Sequence, residues 1–214
     1  MVSIELHARL RRSFLSRWIF ELKTLMDHLL WKFSGGERQV LSAYGKRQLI
    51  LDALSSRNLQ TVLETGTFLG DTTHFLASRG YHVVTVELDS RLAALARARF
   101  EGADNVQVIE GDSGNLMPEL IANLEQPALF YLDGHYSGGT TGKGEQETPI
   151  VKEVEAILAG APIGSLVIID DARCFGLSPD YPPLVDLLTM LRKRGVDDII
   201  IKDDSIRFLV QQNG

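Results

Sequence analysis

The sequence holds a single cysteine, Cys174, among its 214 residues. That excludes an internal disulfide and any zinc cluster built on several thiolates, and it fits a reducing, cytoplasmic setting. No uninterrupted apolar run is long enough to span a bilayer, and the N-terminus lacks the short apolar core and cleavage site of a signal peptide. Excess positive charge is missing too. The formal charge is −6, which gives no reason to expect a nucleic-acid partner. Repeats, low-complexity runs and linker-like stretches are also absent, so a second large domain is not expected.

An apolar content of 44% with 23% charged residues is ordinary for a globular chain. The length suits one domain with a terminal extension: residues 1–58 as a helical extension and residues 59–214 as the main domain. In the extension, Leu10, Phe14, Trp18, Leu22, Leu25 and Leu29 recur at three- and four-residue steps, which predicts one helix over 4–33. Such a helix can pack on the main domain, pair with a second copy in a homodimer, or lie on a membrane surface, where interspersed Arg and Lys with Trp and Phe are also suited. Ser34-Gly35-Gly36 ends it, and a second helix is expected over about 37–56. A helix in that place can cover an active site.

From residue 60 strand and helix signals alternate. Strands are expected at Thr61–Glu64, His82–Glu87, Val106–Ile109, Ala128–Leu132 and Leu166–Ile169, with helices between them and at Leu184–Arg194. The last two runs, Asp198–Lys202 and Ile206–Gln211, are joined only by Asp203-Asp204-Ser205, too short for a crossover helix, so they should pair antiparallel. The expected fold is therefore α/β: a mostly parallel seven-stranded sheet with helices on both faces and a closing hairpin.

The main domain is organised around TVLETGTFLG, residues 61–70. A strand ends in Glu64, a turn carries Gly66, Thr67 and Gly70, and Asp71-Thr72 open a helix. That arrangement lets a backbone approach a nucleotide-like ligand closely. The Glu64 carboxylate would repel a phosphate and attract a cation, which points to S-adenosylmethionine. The G-x-G-x-x-G dinucleotide fingerprint fails, because Phe68 and Asp71 stand where glycines belong, and the loop 138–144 fails as a phosphate-binding loop. Glu87, at the end of the second strand, can accept hydrogen bonds from both ribose hydroxyls. Asp112 can accept from an adenine amino group and Ser113 can donate to a ring nitrogen, or Asp112 can simply cap the following helix.

Asp133-Gly134-His135 follows the fourth strand and Asp170-Asp171 the fifth. In an open parallel sheet these lie on the carboxyl edge beside the glycine turn. Carboxylates converging there repel one another unless paired. A divalent cation resolves the conflict, and oxygen ligands favour Mg2+ or Mn2+; the alternative is an acid-lined rim whose groups are solvated or paired to Arg173 and Lys143.

Taken together, E-T-G-T-F-L-G, the acid at 87, G-D-S, F-Y-L-D-G-H and V-I-I-D-D-A resemble the class I S-adenosylmethionine-dependent methyltransferases, over about residues 60–211. Within that group the acids after strands four and five resemble those of the metal-dependent O-methyltransferases that act on catechols and macrolide sugars. The resemblance implies a Rossmann-like methyltransferase fold. It implies that Glu64, Gly66, Glu87 and Asp112 hold the cofactor, with Thr67, Gly70, Asp71, Thr72, Ser113 and Asp133 beside them. It further implies that Asp133, Asp170 and Asp171 hold Mg2+, that His135 serves as base with Asp133 next to the reaction, and that the acceptor is a hydroxyl of a small molecule or sugar. Two other readings stand beside it: a non-catalytic cofactor-binding subunit of a biosynthetic complex, and a nicotinamide oxidoreductase, which the failed glycine fingerprint disfavours.

Overall fold

The structure is a computed structural model and describes residues 14–33, 40–133, 149–177 and 181–211. Helix α1 spans Phe14–Phe33 and α2 spans Ala43–Arg57. The rest alternates: β1 Thr61–Thr65, α3 Asp71–Ala77, β2 His82–Glu87, α4 Ser90–Arg99, β3 Val106–Glu110, α5 Ser113–Ala122, β4 Leu129–Leu132, α6 Ile150–Gly160, β5 Leu166–Ile169, α7 Leu184–Lys193, β6 Ile200–Lys202 and β7 Ser205–Leu209. A short 3-10 turn, Ala172–Cys174, follows β5.

The seven strands form one sheet in the order β3-β2-β1-β4-β5-β7-β6. The pairs among β1 to β5 are parallel; β5–β7 and β6–β7 are antiparallel. The closing hairpin turns on Asp203 and Asp204, both with positive φ (56° and 59°), the backbone of the tight turn whose twist matches a right-handed strand pair. The central strands are apolar on both faces, as a sheet sandwiched by helices requires. Leu63, Phe130, Leu132, Val167 and Ile169 pack toward α5, α6 and α7, while Val62, Leu129, Tyr131 and Ile168 pack toward α2 and α3. The strand order reverses between β1 and β4, so the crevice outside their carboxyl ends is where a ligand is expected.

The N-terminal region differs from the sequence expectation. Of the predicted helix over 4–33, residues 4–13 lie outside the described residues. The second helix starts at Ala43 rather than near 37, because the Ser42 hydroxyl accepts the Gly45 N–H at 3.1 Å and caps it there. At the α1–α2 junction His28 Nδ1 lies 2.9 Å from the Ser42 hydroxyl, and its ring lies 5.3 Å from that of Tyr44. No helix among the described residues is long and apolar enough to cross a membrane.

Candidate active site

The glycine turn after β1 is built as its sequence requires. Gly66 and Gly70 have φ of 83° and 72°. A side chain at Gly70 would be strained by that φ and would also stand 2.7 Å from Phe100 Cε2, so this turn needs glycine there. Arg99, buried on α4, donates to Asp71 Oδ1 at 2.8 Å and also to the Leu69 carbonyl. Asp71 thus anchors the turn to α4 through an ion pair, a role the sequence did not suggest.

Three acids stand at the ends of β1, β2 and β3. Glu64 is buried and its Oε2 accepts the Thr73 hydroxyl. Burial pushes its pKa up to about 7, against hydrogen bonds from Thr73 and Thr85, and the charges of Asp133 and Glu87 push the same way. The Thr67 hydroxyl lies 2.6 Å from that of Thr85. Glu87 Oε2 accepts the Phe68 N–H at 2.7 Å and Oε1 accepts the Asp89 N–H at 3.0 Å. Its pKa is also raised, chiefly by burial. A carboxylate offers about four acceptor sites, so the two hydroxyls of a ribose can still be received. Asp112 Oδ1 accepts the Gly114 N–H at 2.9 Å and caps α5. Ser113 is buried beside Glu153 of α6, a fully buried carboxyl whose pKa burial pushes up to about 7. Neither Glu153 nor this packing was foreseen.

A cavity of about 310 Å³ opens between the start of α2 and the carboxyl edge of the sheet. Leu41, Lys46, Thr72, Tyr131, Asp133 and Asp170 line it. The N-terminal turn of the second helix forms one wall of this cavity. Glu64 lies outside this lining, behind Thr73. His135 and Lys143 lie outside the described residues.

Lys46 dominates the acidic rim. Its Nζ donates to Asp170 Oδ2 at 2.7 Å and to Asp171 Oδ1 at 3.1 Å. Burial lowers the Lys46 pKa, but the charges and hydrogen bonds of Asp170 and Asp171 outweigh it and leave the pKa raised. Tyr131 donates to the same Asp170 Oδ2 at 2.6 Å, and Asp170 Oδ1 accepts the Asp171 N–H at 2.8 Å. Burial, with the charges of Asp133 and Asp170, holds the Tyr131 phenol protonated. Arg173 Nη1 pairs with Asp171 Oδ1 at 2.9 Å and with Asp204, which the β6–β7 turn brings in.

These contacts bear on the expected Mg2+ site. Oxygens of Asp170, Asp171 and Asp204 approach within 4.8 Å of one another, while Asp133 is not in that group. All three carboxylates carry a cationic side chain of the chain itself: Lys46 on Asp170 and Asp171, Arg173 on Asp171 and Asp204. A divalent ion on Asp133, Asp170 and Asp171 does not fit this arrangement, since it would have to displace charged groups already neutralising its ligands. The pairing alternative therefore describes the rim, with Arg173 as expected and Lys46 in addition. Lys46 was legible only indirectly. Lys46 shares a helical stripe with Ile50 and Leu54, both fully buried, and a lysine on a buried stripe needs a partner.

Comparison with known proteins follows from this geometry. An O-methyltransferase, TomG, of Streptomyces achromogenes superposes with a TM-score of 0.59 at 21% identity, covering 82% of this chain and 83% of its own. An O-methyltransferase of Bacillus cereus superposes at 0.54 with 19% identity, covering 89% and 91%. The fold is that of the class I methyltransferases. In sequence, the family model described as ribosomal RNA adenine dimethylase matches residues 46–126, from α2 to just beyond α5. A ribosomal RNA small subunit methyltransferase A of Dehalococcoides mccartyi is 32% identical over 108 residues, 50% of this chain and 37% of its own. A protein of Methanosarcina acetivorans named probable ribosomal RNA small subunit methyltransferase A is 32% identical over 102 residues, 48% of this chain and 34% of its own. The chain thus spans about a third of the length of these two curated relatives.

These matches correct one expectation. The sequence reading took the acceptor for a small molecule or sugar and set nucleic acid aside on net charge. The relatives are named for methylation of ribosomal RNA, so a formal charge of −6 does not exclude a nucleic-acid partner in this fold. Net charge sums over a whole surface, whereas binding is governed by the local field at one edge.

Proposed function

We propose that this protein is an S-adenosylmethionine-dependent methyltransferase and that it methylates a hydroxyl oxygen. The observation that carries the reading is the cavity at the β1/β4 reversal, with Asp71 and Thr72, which follow the glycine turn, on one side and Lys46, Asp133 and Asp170 on the other. In the proposal Glu87 receives the ribose hydroxyls, Asp112 and Ser113 stand at the adenine, and Glu64 supplies negative potential beneath the methionyl sulfonium. The acceptor hydroxyl sits at the carboxylate rim. Its oxygen attacks the methyl carbon in line, the S–CH3 bond breaks with its electron pair going to sulfur, and the hydroxyl proton passes to Asp133 or to His135. Holding the two reactants in line accounts for much of the acceleration such a site can provide.

A second reading is transfer to an adenine amino nitrogen of ribosomal RNA. The matched relatives favour it; the family match runs from residue 46 to residue 126, before β4, so it covers the cofactor side and, of the rim, Lys46 but none of its aspartates. The two readings differ in product. The full chain is incubated with S-adenosylmethionine labelled in the methyl group, against RNA and against hydroxylated acceptors. A labelled methyl ether supports the first reading; labelled N6-methylated adenine after nuclease digestion supports the second. Absence of labelled product together with absence of cofactor binding would remove both.

A further inference from the structure

At the described rim Lys46 and Arg173 are paired with Asp170, Asp171 and Asp204, and Lys46 lines the cavity. We propose that the Lys46 ammonium is the resident cation of the acceptor site, standing on Asp170 and Asp171 in the place a divalent ion would take, so that methyl transfer here needs no divalent metal. The inference rests on the proposed methyltransferase reading for its bearing on catalysis.

Three observations carry it. Lys46 is delivered by α2, whose Ile50 and Leu54, one and two turns further on, are fully buried against the sheet. That packing fixes the face of the helix from which Lys46 reaches the rim. Asp170, in turn, is immobilised from both sides: Tyr131 and Lys46 share its Oδ2 and the Asp171 N–H occupies its Oδ1. The ammonium therefore meets a prebuilt anionic seat. Finally, an ammonium has three N–H bonds, and Asp170 and Asp171 account for two of them. The third suits an acceptor oxygen in the cavity that Lys46 lines with Asp133. A positive donor there favours the charge that builds on that oxygen as its proton leaves, which is the electrostatic service a metal ion renders in other sites. The transfer itself stays balanced as above, with the methyl going to oxygen, the electron pair to sulfur and the proton to a rim base.

The test is a Mn2+ titration of the full chain, read by loss of the free-ion signal in electron paramagnetic resonance. Wild-type protein is expected to take up no Mn2+ at the rim, so D170N changes nothing. K46M removes the charge while keeping the length of the side chain, and is expected to gain one Mn2+ per chain, a gain lost again in K46M/D170N. K46Q serves in its place should K46M fail to fold. Mn2+ bound by the wild type and abolished by D170N overturns the proposal, and so does a folded K46M or K46Q that binds none. Binding of S-adenosylmethionine by the same samples keeps the two readings apart. Intact cofactor binding with rim-bound Mn2+ in the wild type sinks only the role of Lys46, whereas lost cofactor binding sinks the methyltransferase reading.

Discussion

The Phe68 N–H donates to Glu87 Oε2 at 2.7 Å, tying the turn after β1 to the end of β2. Phe68 has a φ of 49° without being glycine, so this hydrogen bond helps to hold an uncommon backbone conformation in place. E87Q keeps an acceptor but loses the charge. It is expected to weaken S-adenosylmethionine binding by about 10- to 100-fold, the usual loss for a charged hydrogen-bonding group. S-adenosylhomocysteine, which carries the same ribose, should weaken by the same factor. Calorimetry on both ligands checks this, and a loss confined to one of them contradicts the ribose role.

Glu64 links binding to pH. Its pKa lies at about 7 because burial penalises the carboxylate. A cationic ligand nearby favours the ionised form and lowers that pKa. Binding of S-adenosylmethionine near neutral pH should therefore release part of a proton, and affinity should rise as pH increases through about 7. S-adenosylhomocysteine has no sulfonium and should show a shallower dependence; E64Q should show none. Titrations in buffers of different ionisation enthalpy measure the proton directly, and proton-neutral binding would count against a cation above Glu64.

Glu153 makes the same argument for folding. Its pKa rises from 4.5 to about 7 on burial, so the fold favours the neutral acid. Its favourable contribution is intact below pH 4.5 and is lost as pH climbs to about 7, an effect of about 3 kcal/mol at most. E153Q cannot ionise and should lose that pH-dependent share. Urea unfolding at pH 5 and pH 8 makes the comparison; equal pH dependence in both proteins would contradict it.

At Gly70 two constraints coincide, the φ of 72° and the Phe100 ring. G70A should cost about 1–3 kcal/mol of stability and weaken the cofactor further by shifting the turn. Adding F100L should recover the steric part and leave the backbone part. Thermal unfolding of the single and double variants resolves the two shares, and no recovery in the double variant would mean that backbone strain alone sets the cost.

The parallel sheet was readable because short, mostly apolar runs such as LFYL and LVII alternate with helical segments, and the hairpin because Asp203-Asp204-Ser205 leaves no room for a helix. Glu87 and the glycine turn were readable because local order along the chain places them. The rim was only half readable. Asp170 and Asp171 could be set at the strand ends, but their partner Lys46 lies 124 residues from Asp170, and nothing in local sequence states which long-range cation will arrive. Asp71 shows the same limit: it lines the cavity, as its place after the glycine turn suggests, but its pairing with Arg99, delivered by α4, is not stated by local sequence.

Calorimetric titration of the full chain with S-adenosylmethionine, repeated on E87Q and E64Q, decides whether the crevice at the β1/β4 reversal is a methyl-donor site. A single site per chain is expected, weakened about tenfold or more in each variant. Undetectable binding by the wild type, or binding that neither substitution disturbs, would contradict it.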